Sequence, residues 1–199
     1  MDPICYLLHR LSSGRLLEVT VLPFDYYKRL PRSQQRIYLE SDRIASIQIP
    51  DYKKLHPLVR DLEKALAAEN RLLIRKVAQQ LITGIIQSLK TRRLKVRVLE
   101  RRPSNAREEL HGLYQPGQQG KPDQITLWMK TARKEQVVAF KTFLRILVHE
   151  LCHHLDYELL GLKETFHTEG FFKRESSLFH QLMHEAKSPS KKQKPKIDG

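Results

Sequence analysis

The chain has 199 residues, 40% of them apolar, and carries 36 Lys and Arg against 22 Asp and Glu, for a formal net charge of +14. That length suits one domain, or one domain with a small appendage, and the apolar share is enough for a sizeable core. Cys5 and Cys152 are the only cysteines, which excludes a disulfide framework and a four-cysteine zinc ribbon. No run approaches the ~18 apolar residues of a spanning helix, and the first ten residues lack the basic region of a signal peptide. A cytoplasmic protein with no membrane partner is expected.

The chain begins with two apolar, β-rich runs, residues 4–11 and 15–22, separated by Ser12-Ser13-Gly14. This is the pattern of a hairpin. Tyr26–Glu40 carries Pro31 and many charges and fits no element pattern. Arg43–Ile49 alternates apolar and polar residues and predicts a third strand, stopped by Pro50. Residues 1–50 therefore read as a β-rich accessory segment, and 51–186 as the main domain.

From Pro57 to Leu89 the apolar residues recur at helical spacing (Leu58, Leu62, Leu66, Leu73, Val77, Leu81, Ile85, Leu89), with a break expected near Asn70. Pro57 suits a first helical turn. This helical stretch is expected to pack as a scaffold behind a more central helix, with Arg71, Arg75 and Lys76 on its outer side. Lys95–Leu99 alternates basic and apolar residues, as a half-buried strand does. Glu108–Tyr114 is a short element leading into a loop, 116–122, rich in Gln and Gly. Gln124–Lys130 is the next strand, with Ile125, Leu127 and Met129 facing one way and Thr126 and Trp128 the other.

A helix is expected from Glu135 to about Leu160. At about 100° per residue, Phe140, Leu144, Leu147, Val148, Leu151 and Leu155 share one side, and His149, His153 and Asp156 lie nearly opposite. Thr142, Ile146, Cys152 and Leu160 flank the histidine side. The helix should therefore pack on a core behind and be roofed by a later segment in front.

His149-Glu150-Leu151-Cys152-His153 is an H-E-x-x-H pattern. Residues four apart lie on one helical face, so the two imidazoles address one point. That spacing suits Zn²⁺, with Glu150 placed as general base. A catalytic zinc takes three protein ligands and leaves one position open. After a turn at Gly161, His167 is the candidate third ligand, and Glu164, Glu169 and Glu175 compete with it. Asp156 is a candidate to accept a ligand's ring N–H. Tyr157, His154 and Tyr114 are candidates to stabilise an oxyanion. Phe171–Met183 is again helical and should cover the front of the site. It also carries His180 and His184 at i, i+4, which read as a solvent-facing pair.

The H-E-x-x-H motif, a spacer of about a dozen residues and then His167 and Gly170-Phe171 resemble the SprT-like zinc metallopeptidases. The preceding order, Leu110–Gln115, a polar loop, a strand and the motif helix, fits too, so the resemblance spans roughly Lys95 to Met183. In that family Gly usually follows the third ligand; here Thr168 stands there. The resemblance implies a small zincin-like α+β domain and a zinc-dependent peptidase, in some members directed at proteins bound to DNA. In zinc peptidases of this build the strand before the motif helix is the sheet edge beside the cleft. Gln124–Lys130 is thus expected to hold an extended peptide by β-augmentation.

The charge is concentrated. Arg71–Arg102 holds ten Lys or Arg against one Glu, and the tail Lys187–Gly199 five Lys against one Asp. The tail, rich in Pro, Ser and Lys, reads as disordered. Such density favours DNA, RNA or an acidic protein as a partner beside the protein or peptide substrate. The alternative to a peptidase is a nucleic-acid-binding protein whose zinc is structural or vestigial. An amidase acting on a non-protein amide would use the same metal chemistry.

Overall fold

Helix breaks and strand alternation set the elements, which a computed structural model describes over residues 24–103, 111–118, 120–132 and 134–184. The architecture is α+β. Helices α1 (Arg32–Arg43), α2 (His56–Ala67) and α3 (Arg71–Leu89) precede strand β1 (Leu94–Arg101). Strands β2 (Gly112–Gln115) and β3 (Asp123–Lys130) are followed by helices α4 (Phe140–Glu158) and α5 (Glu169–Met183). The expected hairpin in residues 4–22 and the basic tail 187–199 lie outside the described residues.

The break near Asn70 divides α2 from α3. Asn70 caps the second helix, its side-chain oxygen accepting from the Leu73 amide at 3.1 Å, which meets one of the unpaired donors of a helix start. Arg71, Arg75 and Lys76 are exposed on α3, as its phasing predicts, while Ile74, Leu81, Ile82 and Ile85 are wholly buried. In β1 Leu94, Val96 and Val98 are buried and Lys95 and Arg97 exposed, the alternation of a half-buried strand.

The sheet order is β1-β3-β2, with β1 parallel and β2 antiparallel to β3. This corrects the expectation for Gln124–Lys130. The strand before the motif helix is the central one, with Ile125 to Met129 buried on both faces. Its ladder groups are used on both sides, so it cannot accept a peptide. The sheet edge beside α4 is the four-residue β2.

The motif helix also starts later than predicted, at Phe140 and not Glu135. The intervening residues turn back along β3: the Val138 amide donates to the Met129 carbonyl at 2.8 Å and that of Thr131 to the Gln136 carbonyl at 2.9 Å. Glu135 sits at φ 51° in this turn, outside helical space. At the other end Gly161 adopts φ 66°, and the Leu162 amide reaches back to the Asp156 carbonyl at 2.9 Å, a glycine-terminated helix end. The apolar side of α4 joins α2, α3, the sheet and α5 in one core, in which Leu62, Leu81, Leu127, Leu144, Leu151 and Phe171 are at most 1% exposed. Each such side chain contributes about 1.5–3 kcal/mol on burial.

Residues 24–50 correct the expected β-rich segment: those described are a 3-10 turn, Asp25–Arg29, helix α1, and an extended stretch. Ile47 and Ile49 are buried in that stretch, 6% and 3% exposed, so the period-two pattern is real, but among the described residues no strand pairs with it. Its partner is one side chain of α5. Gln181 accepts from the Ile49 amide at 2.9 Å and donates to the Ile47 carbonyl at 2.8 Å. The same segment is pinned by Arg174, wholly buried, whose guanidinium donates to the carbonyls of Ser41 and Ile44, each at 2.6 Å. Residues 24–50 thus dock on α5 through these contacts and add Ile47 and Ile49 to the same core.

Candidate metal centre

His149 and His153 stand one turn apart on the front of α4, with ring centroids 4.9 Å apart. The segment between α4 and α5 lays His167 across them. Its Nε2 is 3.1 Å from Nε2 of His149 and 3.2 Å from Nε2 of His153. The ligand atoms of these three residues form the one such cluster among the described residues. A tetrahedral zinc with Zn–N bonds of about 2.0–2.1 Å sets its ligand nitrogens about 3.3 Å apart.

The protons argue that these contacts are not ordinary hydrogen bonds. His149 Nδ1 lies 3.0 Å from Glu175 Oε2, and a carboxylate accepts, so the ring proton is on Nδ1. His153 Nδ1 lies 2.8 Å from Thr165 Oγ1, and the Thr165 hydroxyl donates its only proton to Asp156 Oδ2 at 2.9 Å. His153 must therefore donate to Thr165, and its proton is also on Nδ1. As neutral rings, His149 and His153 would turn Nε2 lone pairs to the cluster, and a single proton on His167 Nε2 could satisfy only one of them. Burial, with the neighbouring imidazoles second, pushes His153 down to about 3 and His167 down to about 4. Both are neutral at pH 7, the state a metal requires.

The carboxylates sort by position. Glu175 is not a ligand atom in this cluster but the partner of His149, its other oxygen accepting from Arg145 at 2.9 Å. Burial opposes its ionisation, yet the His149 and Arg145 contacts hold its carboxyl below the usual range. Glu169 pairs with Lys173 at 2.7 Å, and Glu164 is exposed. Asp156 reaches His153 through Thr165 and not directly, and is fixed by Arg174 at 2.8 Å in an ion pair with both side chains 0% exposed. Glu150 is 6% exposed. Burial raises its pKa against the pull of His149 and a hydrogen bond from the Tyr114 backbone, as a general base working near neutrality requires.

Glu150 and the three histidines line a cleft of about 590 Å³, together with Leu113, Tyr114, Arg145 and Tyr157. Strand β2 approaches α4 closely at Gly112, where a Cβ would lie 2.7 Å from Ile146 Cγ2 and 2.8 Å from Glu150 Cγ. Only glycine lets the strand meet Glu150 at that distance. Among the candidate oxyanion groups, His154 is wholly buried with Nδ1 2.9 Å from Asp123. The Tyr114 hydroxyl donates to the same carboxylate at 3.1 Å. The Tyr114 hydroxyl is thereby engaged and the His154 ring is sealed away from the cleft, which leaves Tyr157 as the candidate on the cleft wall. The His180 ring bonds back to its own helix at Ser176 and is exposed, as expected of a solvent-facing pair.

No family model matches the chain, and no characterised protein or solved structure is significantly similar to it.

Several residues of the centre left little mark on the sequence. Glu175 is the most visible, a carboxylate within the inward apolar stripe of α5. Thr168 caps α5, accepting from the Phe171 amide at 2.9 Å, and its extended backbone, φ −85° and ψ 170°, needs no glycine after His167. Thr165, Gly112 and the Tyr114 backbone contact have no periodicity that announces them.

Proposed function

We propose that the protein is a zinc-dependent peptidase, with His149, His153 and His167 holding the metal and Glu150 acting as general base. The observation that carries this reading is the three converging Nε2 atoms with Glu150 beside them in an open cleft. When bound, zinc would polarise the scissile carbonyl and make a water acidic enough to deprotonate near neutral pH. Glu150 takes that proton and returns it to the leaving amine, and burial tunes its carboxyl for both steps. Glu175 and the Thr165–Asp156 pair hold the imidazoles of His149 and His153 in the tautomer that faces the cleft. The outer edge of β2, which among the described residues is paired with no further strand, is where an extended peptide would add. The Tyr157 hydroxyl, which lines the cleft and is kept protonated by burial and then by Glu164, is the group assigned to donate to the carbonyl oxygen.

The small mixed sheet, the motif helix and a third histidine from the next segment support a zincin-type, SprT-like domain. The exposed Lys95 and Arg97 of β1 and Arg75 and Lys76 of α3 support DNA- or RNA-associated proteins as substrates. A structural zinc in a nucleic-acid-binding protein would have no use for a buried, raised glutamate beside its ligands. The test is digestion of a denatured, labelled protein in the presence of zinc. Cleavage by the wild type, lost in Glu150→Gln with zinc content retained, is the expected result. Equal cleavage by both proteins would overturn the reading.

A further inference from the structure

His167 differs from the other two histidines of the cluster. His149 and His153 are fixed by the helix that carries them and by Nδ1 partners, whereas His167 is on no helix and its Nδ1 has no hydrogen bond among the described residues. Metal-binding histidines are ordinarily oriented through that second nitrogen. Something else must set its position.

What does so comes from the other end of the chain. The Tyr26 hydroxyl donates to the His167 backbone carbonyl at 3.0 Å. Tyr26 belongs to the 3-10 turn Asp25–Arg29, and its ring packs edge-on against Tyr38 of α1 with centroids 5.7 Å apart. Tyr38 is 1% exposed, and its hydroxyl accepts from the Phe24 amide at 3.0 Å. The turn is thus tied to a buried anchor. On the far side of His167, the Gly170 amide donates to Asp42 Oδ1 at 2.8 Å. A Cβ on Gly170 would lie 2.7 Å from the Asp42 carbonyl carbon, so the loop and α1 meet backbone to backbone. Phe172 stacks on the His167 ring at 5.8 Å, and Phe24 meets Phe172 at 6.2 Å.

We propose that Tyr26 is the positioning residue for the third histidine, so that residues 24–42 complete the metal centre. The inference rests on the three-histidine reading. In it the carbonyl contact replaces the missing Nδ1 partner and holds the His167 imidazole over α4. The chain then places its metal only when its N-terminal turn is docked.

The test is zinc affinity, by competition with a chromophoric chelator, for wild type, Tyr26→Phe, His167→Ala and the double variant. Tyr26→Phe keeps the ring and removes the donor, and its metal-free thermal midpoint is measured alongside. The expected result is a loss of about 10-fold or more in zinc affinity for Tyr26→Phe, with no further loss when the same change is made in His167→Ala. Cobalt(II) bound to Tyr26→Phe should also show weakened ligand-field absorption. Affinity equal to wild type, or the same loss in both backgrounds, would overturn the proposal. The second result would mean a general destabilisation, whatever the thermal midpoint shows. A wild type that binds no zinc would instead overturn the three-histidine reading itself.

Discussion

Nδ1 of His149 lies 3.0 Å from Oε2 of Glu175, and this contact joins the motif helix to the helix that roofs it. The same carboxylate takes Arg145 on its other oxygen, so a single side chain orients His149 and is itself oriented. Glu175→Ala should weaken zinc binding by about 10- to 100-fold while the fold persists. Zinc competition and far-ultraviolet circular dichroism check the two halves. Unaltered affinity would mean that Glu175 balances Arg145 and does nothing for the metal.

Gly112 brings β2 against Ile146 and the stem of Glu150. A methyl group there collides with Ile146 and with the stem of Glu150, so β2 and Glu150 must part. Gly112→Ala should retain its zinc and lose roughly 100-fold in cleavage rate, the usual consequence of about 1 Å of misplacement. Wild-type turnover by this variant would show that β2 can yield without moving Glu150.

The ion pair of Arg174 and Asp156 links α1, α4 and α5. Arg174→Met leaves the Asp156 carboxylate buried without its partner and frees the carbonyls of Ser41 and Ile44. The loss should be about 3–5 kcal/mol in urea unfolding. A loss near zero would mean that water reaches the site and that the pair is dispensable.

The metal-free protein should be acid-sensitive in a defined window. The folded values for His153, about 3, and His167, about 4, lie below the ordinary value of 6.5, so the unfolded chain binds more protons than the folded one in between. Stability is then complete above pH 6.5 and falls as pH drops toward those folded values. Thermal midpoints from pH 7 to pH 4 should fall more for the wild type than for a His153→Gln, His167→Gln double variant. Parallel curves would contradict the assignment.

Local patterns read well in this chain because their causes are local. The i, i+4 spacing of His149 and His153 places both on one helical face wherever that helix packs, and the alternation of β1 marks its buried side. Asn70 ends one helix and caps the next within a few residues. Helix α1 escaped notice because only Tyr38 and Ser41 are buried on it, too few to write a periodic stripe beside Pro31 and the charges. Ile44–Ile49 has the period of a strand because its backbone is extended, but its partner is the amide of Gln181, 130 residues away in sequence and more. Which strand holds the sheet edge depends on pairing order, which no single strand encodes. The contact between Tyr26 and His167 joins residues with |i−j| of 141, and neither residue type signals the other.

The most direct test of the central claim is zinc per chain by elemental analysis of wild type and His167→Ala, each purified after incubation with excess metal and removal of the surplus. The three-histidine centre predicts close to one zinc in the wild type and far less in the variant. A folded wild type without zinc, or one zinc retained equally by both proteins, would contradict it.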